Sequence, residues 1–176
     1  MSELADFRKA KDHYFGQDHH SPLTPEQQRR FTGLAYYPEN SALRFDLAIE
    51  ELPDREKETI EMATSTGDFK PYIRWGTISF PVGGETATLT VYRGEDGDEY
   101  FLPFGDLNSG QTTYGAGRYL DLAAVDHGRV LVDFNYAYNP YCAYNPNWSC
   151  PIPPKENRLT VAIDAGEKNF PDAEGP

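Results

Sequence analysis

Ile78-Ser79-Phe80-Pro81-Val82-Gly83-Gly84-Glu85-Thr86-Ala87-Thr88-Leu89-Thr90-Val91 is the stretch whose reading decides the fold. Two adjacent glycines accept positive φ at both central positions of a tight turn, and the flanking segments are β-branched and apolar. Ile78-Ser79-Phe80 is therefore expected to pair with Ala87 to Val91 as a β-hairpin. Upstream, Tyr72 to Phe80 reads as one strand whose apolar phase shifts around Gly76, the mark of a bulge.

Working outward, the two-residue period persists. Leu43, Phe45, Leu47 and Ile49 share one face while Arg44, Asp46, Ala48 and Glu50 share the other. Ile60, Met62 and Thr64 repeat the pattern. Downstream, Glu99 to Phe104, Gly117 to Leu122, Val130 to Asn135 and Leu159 to Ile163 read as further strands between Gly, Asp, Asn and Pro punctuation. The expectation is a mainly β chain: an antiparallel barrel or sandwich of about eight or nine strands, with closure removing vulnerable edges.

The N-terminus follows a different period. Leu4, Phe7, Lys11 and Tyr14 or Phe15 recur at three- and four-residue spacing behind Ser2 as N-cap, which predicts an amphipathic helix ended by Gly16. Thr24-Pro25-Glu26-Gln27 predicts a short second helix, with a capping Thr and Pro at the first helical position. The domain reading is a helical segment over 1–30 packed on a β domain over 31–168, with a frayed tail over 169–176. A chain of 176 residues, 39% apolar, suits one core.

Charge narrows the partners. The net charge of -12, from 28 acidic and 16 basic residues, opposes nucleic acid and anionic membranes. With only six lysines, such a balance suits solubility in concentrated salt. No apolar run reaches membrane-spanning length, and the charged start Ala5-Asp6-Phe7-Arg8-Lys9 does not read as a signal peptide, so a cytoplasmic setting is expected. In that setting the sequon Asn147-Trp148-Ser149 is a chance match.

The segment Asp133 to Pro146, rich in Tyr, Asn and Pro, is unlike an ordinary connector. Val130, Val132 and Phe134 share a face, so Asp133 and Asn135 project to the other, toward a pocket or onto the backbone of the following loop. Arg118, beside aromatics, can hold a carboxylate or phosphate, or can pair with Asp133. Cys142 and Cys150 lack metal-ribbon or redox CxxC spacing and read as buried thiols, a disulfide, or a metal or reactive pair. His19-His20, with Asp18 and near His13, has metal-ligand chemistry but reads as a solvated turn, and no metal or cofactor is assigned. Gly115-Ala116-Gly117 leads into a strand, which excludes a dinucleotide loop.

Tyr114-Gly115-Ala116-Gly117-Arg118-Tyr119-Leu120, Asp133-Phe134-Asn135, Ala137-Tyr138-Asn139-Pro140-Tyr141-Cys142-Ala143-Tyr144, and Cys150-Pro151 with Pro153-Pro154 and Glu156-Asn157 carry a resemblance. So do Arg8, Lys11-Asp12, Phe15, Ser21-Pro22-Leu23 and Gly33-Leu34 at the start, and Ala165-Gly166-Glu167-Lys168 at the close. The sequence resembles the family of unknown function DUF1684. The resemblance implies no activity; it directs attention to Arg118, Tyr119, Asp133, Asn135, Asn139, Cys142, Cys150, Asn157 and Glu167.

Three readings compete. The first is a small-molecule-binding domain with an aromatic and polar pocket formed from Arg118, Tyr119, Asp133, Asn135, Tyr138, Asn139, Asn157 and Glu167. The second is a hydrolase or isomerase using Asp133 or Glu167 as acid/base, with Arg118 orienting an anionic group. The third is a structural domain, or one whose Tyr/Asn/Pro segment docks a protein partner.

Overall fold

The computed structural model describes residues 2–95, 97 and 99–174. Two helices, α1 (Glu3–Gln17) and α2 (Pro25–Arg30), precede eight strands. These are β1 (Arg44–Ala48), β2 (Glu50–Glu51), β3 (Thr59–Ala63), β4 (Phe69–Val82), β5 (Glu85–Gly94), β6 (Tyr100–Phe104), β7 (Arg118–Ala124) and β8 (Arg129–Asp133). They form one antiparallel sheet in the order β1-β8-β7-β6-β5-β4-β2, with β3 also on β4, and the sheet curls into a nearly closed barrel.

Closure is the work of a single stretch of chain. Residues 44–48 pair with β8, from Arg44 opposite Asp133 to Ala48 opposite Arg129, and residues 50–51 then pair with β4, opposite Thr77 and Gly76. Between them the Ile49 amide donates to the Gly128 carbonyl at 3.0 Å. The β4–β5 register shifts between Arg74 and Gly76, where the bulge is expected. A Cβ at Gly76 would lie 2.7 Å from the Glu50 carbonyl oxygen and from Ile49 Cγ2, so the crossing strand needs a glycine beneath it. The hairpin forms as the sequence predicts: Val82 pairs with Glu85, and Gly83 and Gly84 take φ of 60° and 77°.

The barrel interior is filled. Ile78 and Phe80 from β4, Leu89 and Val91 from β5, Leu102 and Phe104 from β6, Val130 and Val132 from β8 and Phe134 pack into one cluster. Phe134 sits at its centre, with ring centroids 5.1 Å from Phe80 and 5.4 Å from Phe104. Those alternating positions turn the intervening side chains outward.

The expected strand at Leu159–Ile163 does not form. Its apolar alternation is real, since Val161, Ile163 and Ala165 are buried in the core. However, its backbone runs beside the loop after β6: Leu159 donates to Gly105, and Leu107 donates to Val161. Alternation reports extended chain against a core, not a ladder partner.

Ser2 caps α1 by accepting from the Ala5 amide, and Thr24 with Gln27 forms a full capping box on α2. Helix α1 continues through Gly16 to Gln17; the bare glycine instead admits the Phe31 ring, since a Cβ there would lie 2.8 Å from it. Phe15, Leu23, Tyr144 and Phe170 make a second apolar cluster outside the barrel. The tail, expected to fray over 169–176, is tied down as far as residue 174: Asn169 donates to Thr112, Glu174 donates to Tyr144, and Gln27 donates to the Asp172 carbonyl. Residues 175 and 176 lie outside the described residues. Among those described, no helix is long and apolar enough to cross a membrane.

Candidate functional site

A cleft of about 570 Å3 lies on the outer wall of the barrel, not inside it. Its floor comes from outward positions of three strands: Tyr72 on β4, Phe101 on β6 and Tyr119 on β7. Leu102 and Leu120, one residue on, point into the core. Tyr72 stacks on Phe101 at 5.3 Å, and Phe101 meets Tyr119 edge to face at 4.8 Å. Helix α1 supplies a second wall through Phe7, Lys11 and Phe15, and the chain from Tyr138 to Tyr141 supplies the third.

The phenols are held by their neighbours. Tyr119 donates its hydroxyl to the Pro151 carbonyl, while its backbone exchanges two 2.9 Å hydrogen bonds with Tyr138. The Tyr138 hydroxyl donates to Asp121 at 2.9 Å. Burial, then neighbouring ionisable groups, push both phenols well above the ordinary tyrosine range, so they remain protonated donors.

Asn139 is the polar group that stands out. It is 1% exposed, and its Nδ2 donates to the Lys168 carbonyl at 3.0 Å, which fixes the amide orientation because a carbonyl can only accept. Its Oδ1, by contrast, is buried without a hydrogen-bond partner among the described residues. Beside it, Lys11 is matched by Glu167 at 2.6 Å, leaving Lys70 and Asp121 as the remaining charged side chains on the cleft walls.

The structure divides the predicted site residues. Tyr119, Tyr138 and Asn139 line the cleft; Arg118, Asp133, Asn135, Asn157 and Glu167 do not. Arg118 is 1% exposed and does not pair with Asp133 as anticipated. Its guanidinium reaches Asp106 and the carbonyls of Ile163, Ala165 and Glu167, clamping the irregular C-terminal segment to β7. Asp106, in turn, accepts from the Ile163 amide at 2.7 Å. Both terminal nitrogens bond inward and the side chain is sealed from solvent, so an anionic ligand does not reach this arginine.

Asp133 follows the alternative of bonding the following backbone, whereas Asn135 bonds backbone far upstream instead. Asp133 caps the 3-10 turn Phe134–Tyr136 by accepting from the Asn135 amide, and the Asn135 side chain exchanges two hydrogen bonds with the Asn40 backbone. Asn157 fills the gap where β5 and β6 diverge: it accepts from the Thr90 amide and donates to the Thr90 and Pro103 carbonyls, each at 2.8 Å. Glu167 is likewise spoken for, by Lys11, by the Tyr144 hydroxyl at 2.6 Å and by the Asn139 amide at 3.3 Å. A carboxylate so enclosed has no access to a substrate proton, which argues against Glu167 as an acid/base.

Cys142 and Cys150 are unlinked thiols, the first half-buried and the second buried. Asp18, His19 and His20 come within 4.8 Å of one another, in an exposed turn at the end of α1.

Sequence reasoning missed Phe7, Tyr72 and Phe101 as cleft residues. The signal was present in Tyr100-Phe101-Leu102-Pro103-Phe104, an unbroken apolar run that announces a strand covered on both faces.

Among curated proteins, none matches this chain. A solved structure similar to it is the solution NMR structure of the uncharacterized protein from gene locus rrnAC0354 of Haloarcula marismortui. It is 33% identical, with a TM-score of 0.70 over 94% of this chain and 92% of that one. Residues 29–168 match the family described as "Protein of unknown function (DUF1684)". That match takes in the barrel, the Arg118 clamp and the segment carrying Tyr138, Asn139 and both cysteines; the chain belongs to the DUF1684 family.

Proposed function

We propose that the protein binds a small, neutral, mainly apolar molecule carrying a hydrogen-bond donor, in the outer cleft between α1 and β4, β6 and β7. The observation that carries this reading is the open aromatic cleft of Tyr72, Phe101 and Tyr119, with Asn139, whose buried Oδ1 has no partner among the described residues, in its wall. Leaving such an acceptor unmet costs about 1–3 kcal/mol, which a ligand N–H or O–H would recover once a small shift of the Asn139 side chain exposed it. The paired Lys11 and Glu167, with one further cation and one anion on the walls, favour a neutral ligand over a strongly charged one. Aromatic walls with a few placed polar groups suit such a ligand.

Indole is a suitable probe, being flat, neutral and furnished with one N–H. Saturating it should raise the melting temperature of the wild type and leave that of Phe101→Ala unchanged. At 100 times the dissociation constant the stabilisation is about 2.7 kcal/mol. No saturable shift with indole or with phenol would remove this reading.

A second reading has an observation of its own: Phe7, Tyr14, Tyr141 and Trp148 are all exposed. Such aromatics favour a protein-docking surface. Light scattering that showed self-association, lost on Trp148→Ser, would support it.

A further inference from the structure

The two cysteines lie eight positions apart in sequence but meet in space. The Cys142 amide donates to Cys150 Sγ at 3.3 Å, so the second sulfur rests against the backbone of the first cysteine. The intervening loop and its Cys150 end are anchored. Asn145 and the Trp148 indole each donate to the Pro22 carbonyl, at 2.8 and 2.9 Å. The Cys150 amide donates to Ser65 Oγ at 3.1 Å, and Ser65 returns a backbone bond to the Cys150 carbonyl. The thiols are therefore held together by the fold without being linked.

Cys142 also opens outward. It lines a cavity of about 320 Å3, distinct from the aromatic cleft, together with Tyr114, Pro146, Asn169 and Phe170. The Tyr114 hydroxyl lies 3.6 Å from Cys142 Sγ. Burial, then its contact with Cys142, pushes that phenol up, so it stays a donor. Hydrogen bonds from the Cys150 thiol, then from the Tyr114 and Ser65 hydroxyls, outweigh burial and hold the Cys142 thiol down to about 6, while the same contact and burial raise Cys150. The asymmetry gives a thiolate on this cavity and a protonated thiol that rests against its backbone and lines the neighbouring aromatic cleft.

We infer that Cys142 and Cys150 form a redox-active dithiol that reduces a small hydroperoxide, with Cys142 as the attacking thiolate and Cys150 as the resolving thiol. The Cys142 sulfur gives an electron pair to the terminal peroxide oxygen. An S–O bond forms, the O–O bond breaks, and the departing oxygen leaves with a proton as an alcohol, or as water when the peroxide is hydrogen peroxide. Cys142 is then a sulfenic acid. The Cys150 sulfur attacks the Cys142 sulfur: the S–S bond forms, the S–O bond breaks, and hydroxide leaves with the Cys150 proton as water. Two thiols lose two electrons and two protons, and the peroxide gains them. An external dithiol resets the pair by exchange. Cys150 also lines the aromatic cleft, but the redox inference requires no ligand there.

Equimolar hydrogen peroxide added to the reduced, folded protein tests it by intact mass and non-reducing peptide mapping. The expected result is a loss of about 2 Da with a Cys142–Cys150 crosslink, reversed by dithiothreitol. Cys150→Ser should instead trap Cys142 as a dimedone adduct, and Cys142→Ser should consume no peroxide. Circular dichroism establishes that each variant is folded, and Cys142→Ala replaces Cys142→Ser if the serine is not. In Cys150→Ala, where a variant partner removes the thiol donor, alkylation of Cys142 should still climb between pH 7 and 8; in the wild type it should level off above about pH 7, whereas an ordinary thiol gains about tenfold per unit there. A folded protein whose thiols ignore peroxide, or a Cys142→Ser variant that reacts as fast as the wild type, overturns the inference.

Discussion

The inside of the barrel and its outer wall beside α1 are both rich in aromatic rings, yet they are built differently. Inside, Phe80, Phe104 and Phe134 are sealed among aliphatic side chains and carry no polar atom. Outside, Tyr72, Tyr119 and Tyr138 dominate, the hydroxyls of Tyr119 and Tyr138 reach a carbonyl or carboxylate, and a cleft stays open between them. Phenylalanine fills space; tyrosine fills space while tying its far end to a fixed partner. On the proposed reading the interior supplies stability and the wall recognition, and the following variants are chosen to break that contrast.

The largest effect is expected at the Arg118 clamp between β7 and the irregular C-terminal segment. Arg118→Met should destabilise by about 5 kcal/mol, because Asp106 and three carbonyls lose a buried cation that nothing replaces. Urea denaturation with an unchanged slope measures it. Phe134→Ala should follow at about 4 kcal/mol, the usual cost of opening a cavity in a packed core. Its counterpart on the wall, Tyr72→Ala, should lose only about 1 kcal/mol while weakening indole binding. Equal losses at Phe134 and Tyr72 would erase the distinction.

Much of the barrel was legible in the sequence. The Gly83-Gly84 hairpin, the Gly76 bulge and both helix caps are local, set by residues a few positions apart. Leu159 to Ile163 was misread because alternation shows burial and says nothing about which backbone lies alongside. Pattern offers Arg118 an anionic ligand or Asp133, yet its carboxylate is Asp106, in the loop after β6. Only the folded path of the irregular C-terminal segment brings those groups together. The site was half legible: Tyr119, Tyr138 and Asn139 were marked, whereas Phe7, Tyr72 and Phe101 join them through helix docking and sheet curvature.

The smallest effect is expected from a pH-dependent pair on the outer surface. Burial opposes ionisation of Glu156, but Arg74 at 2.8 Å and the Tyr92 hydroxyl outweigh it and hold the carboxyl below its ordinary value. A carboxyl depressed in the folded state contributes stability above its unfolded pKa, and this is lost as pH falls through the folded value. Melting curves of the wild type and Glu156→Gln should therefore differ at pH 7 and converge below about pH 4. A constant gap between them would show that Glu156 acts by packing alone.

The most direct test of a filled interior beside a receptive wall is an indole titration followed in the 15N–1H correlation spectrum. The account predicts saturable movement confined to the cleft, including the Asn139 side-chain amide and the backbone around Phe101 and Tyr119, and abolished in Phe101→Ala. Absence of saturable movement, or movement centred on Leu102, Phe104 and Phe134 inside the barrel, would contradict it.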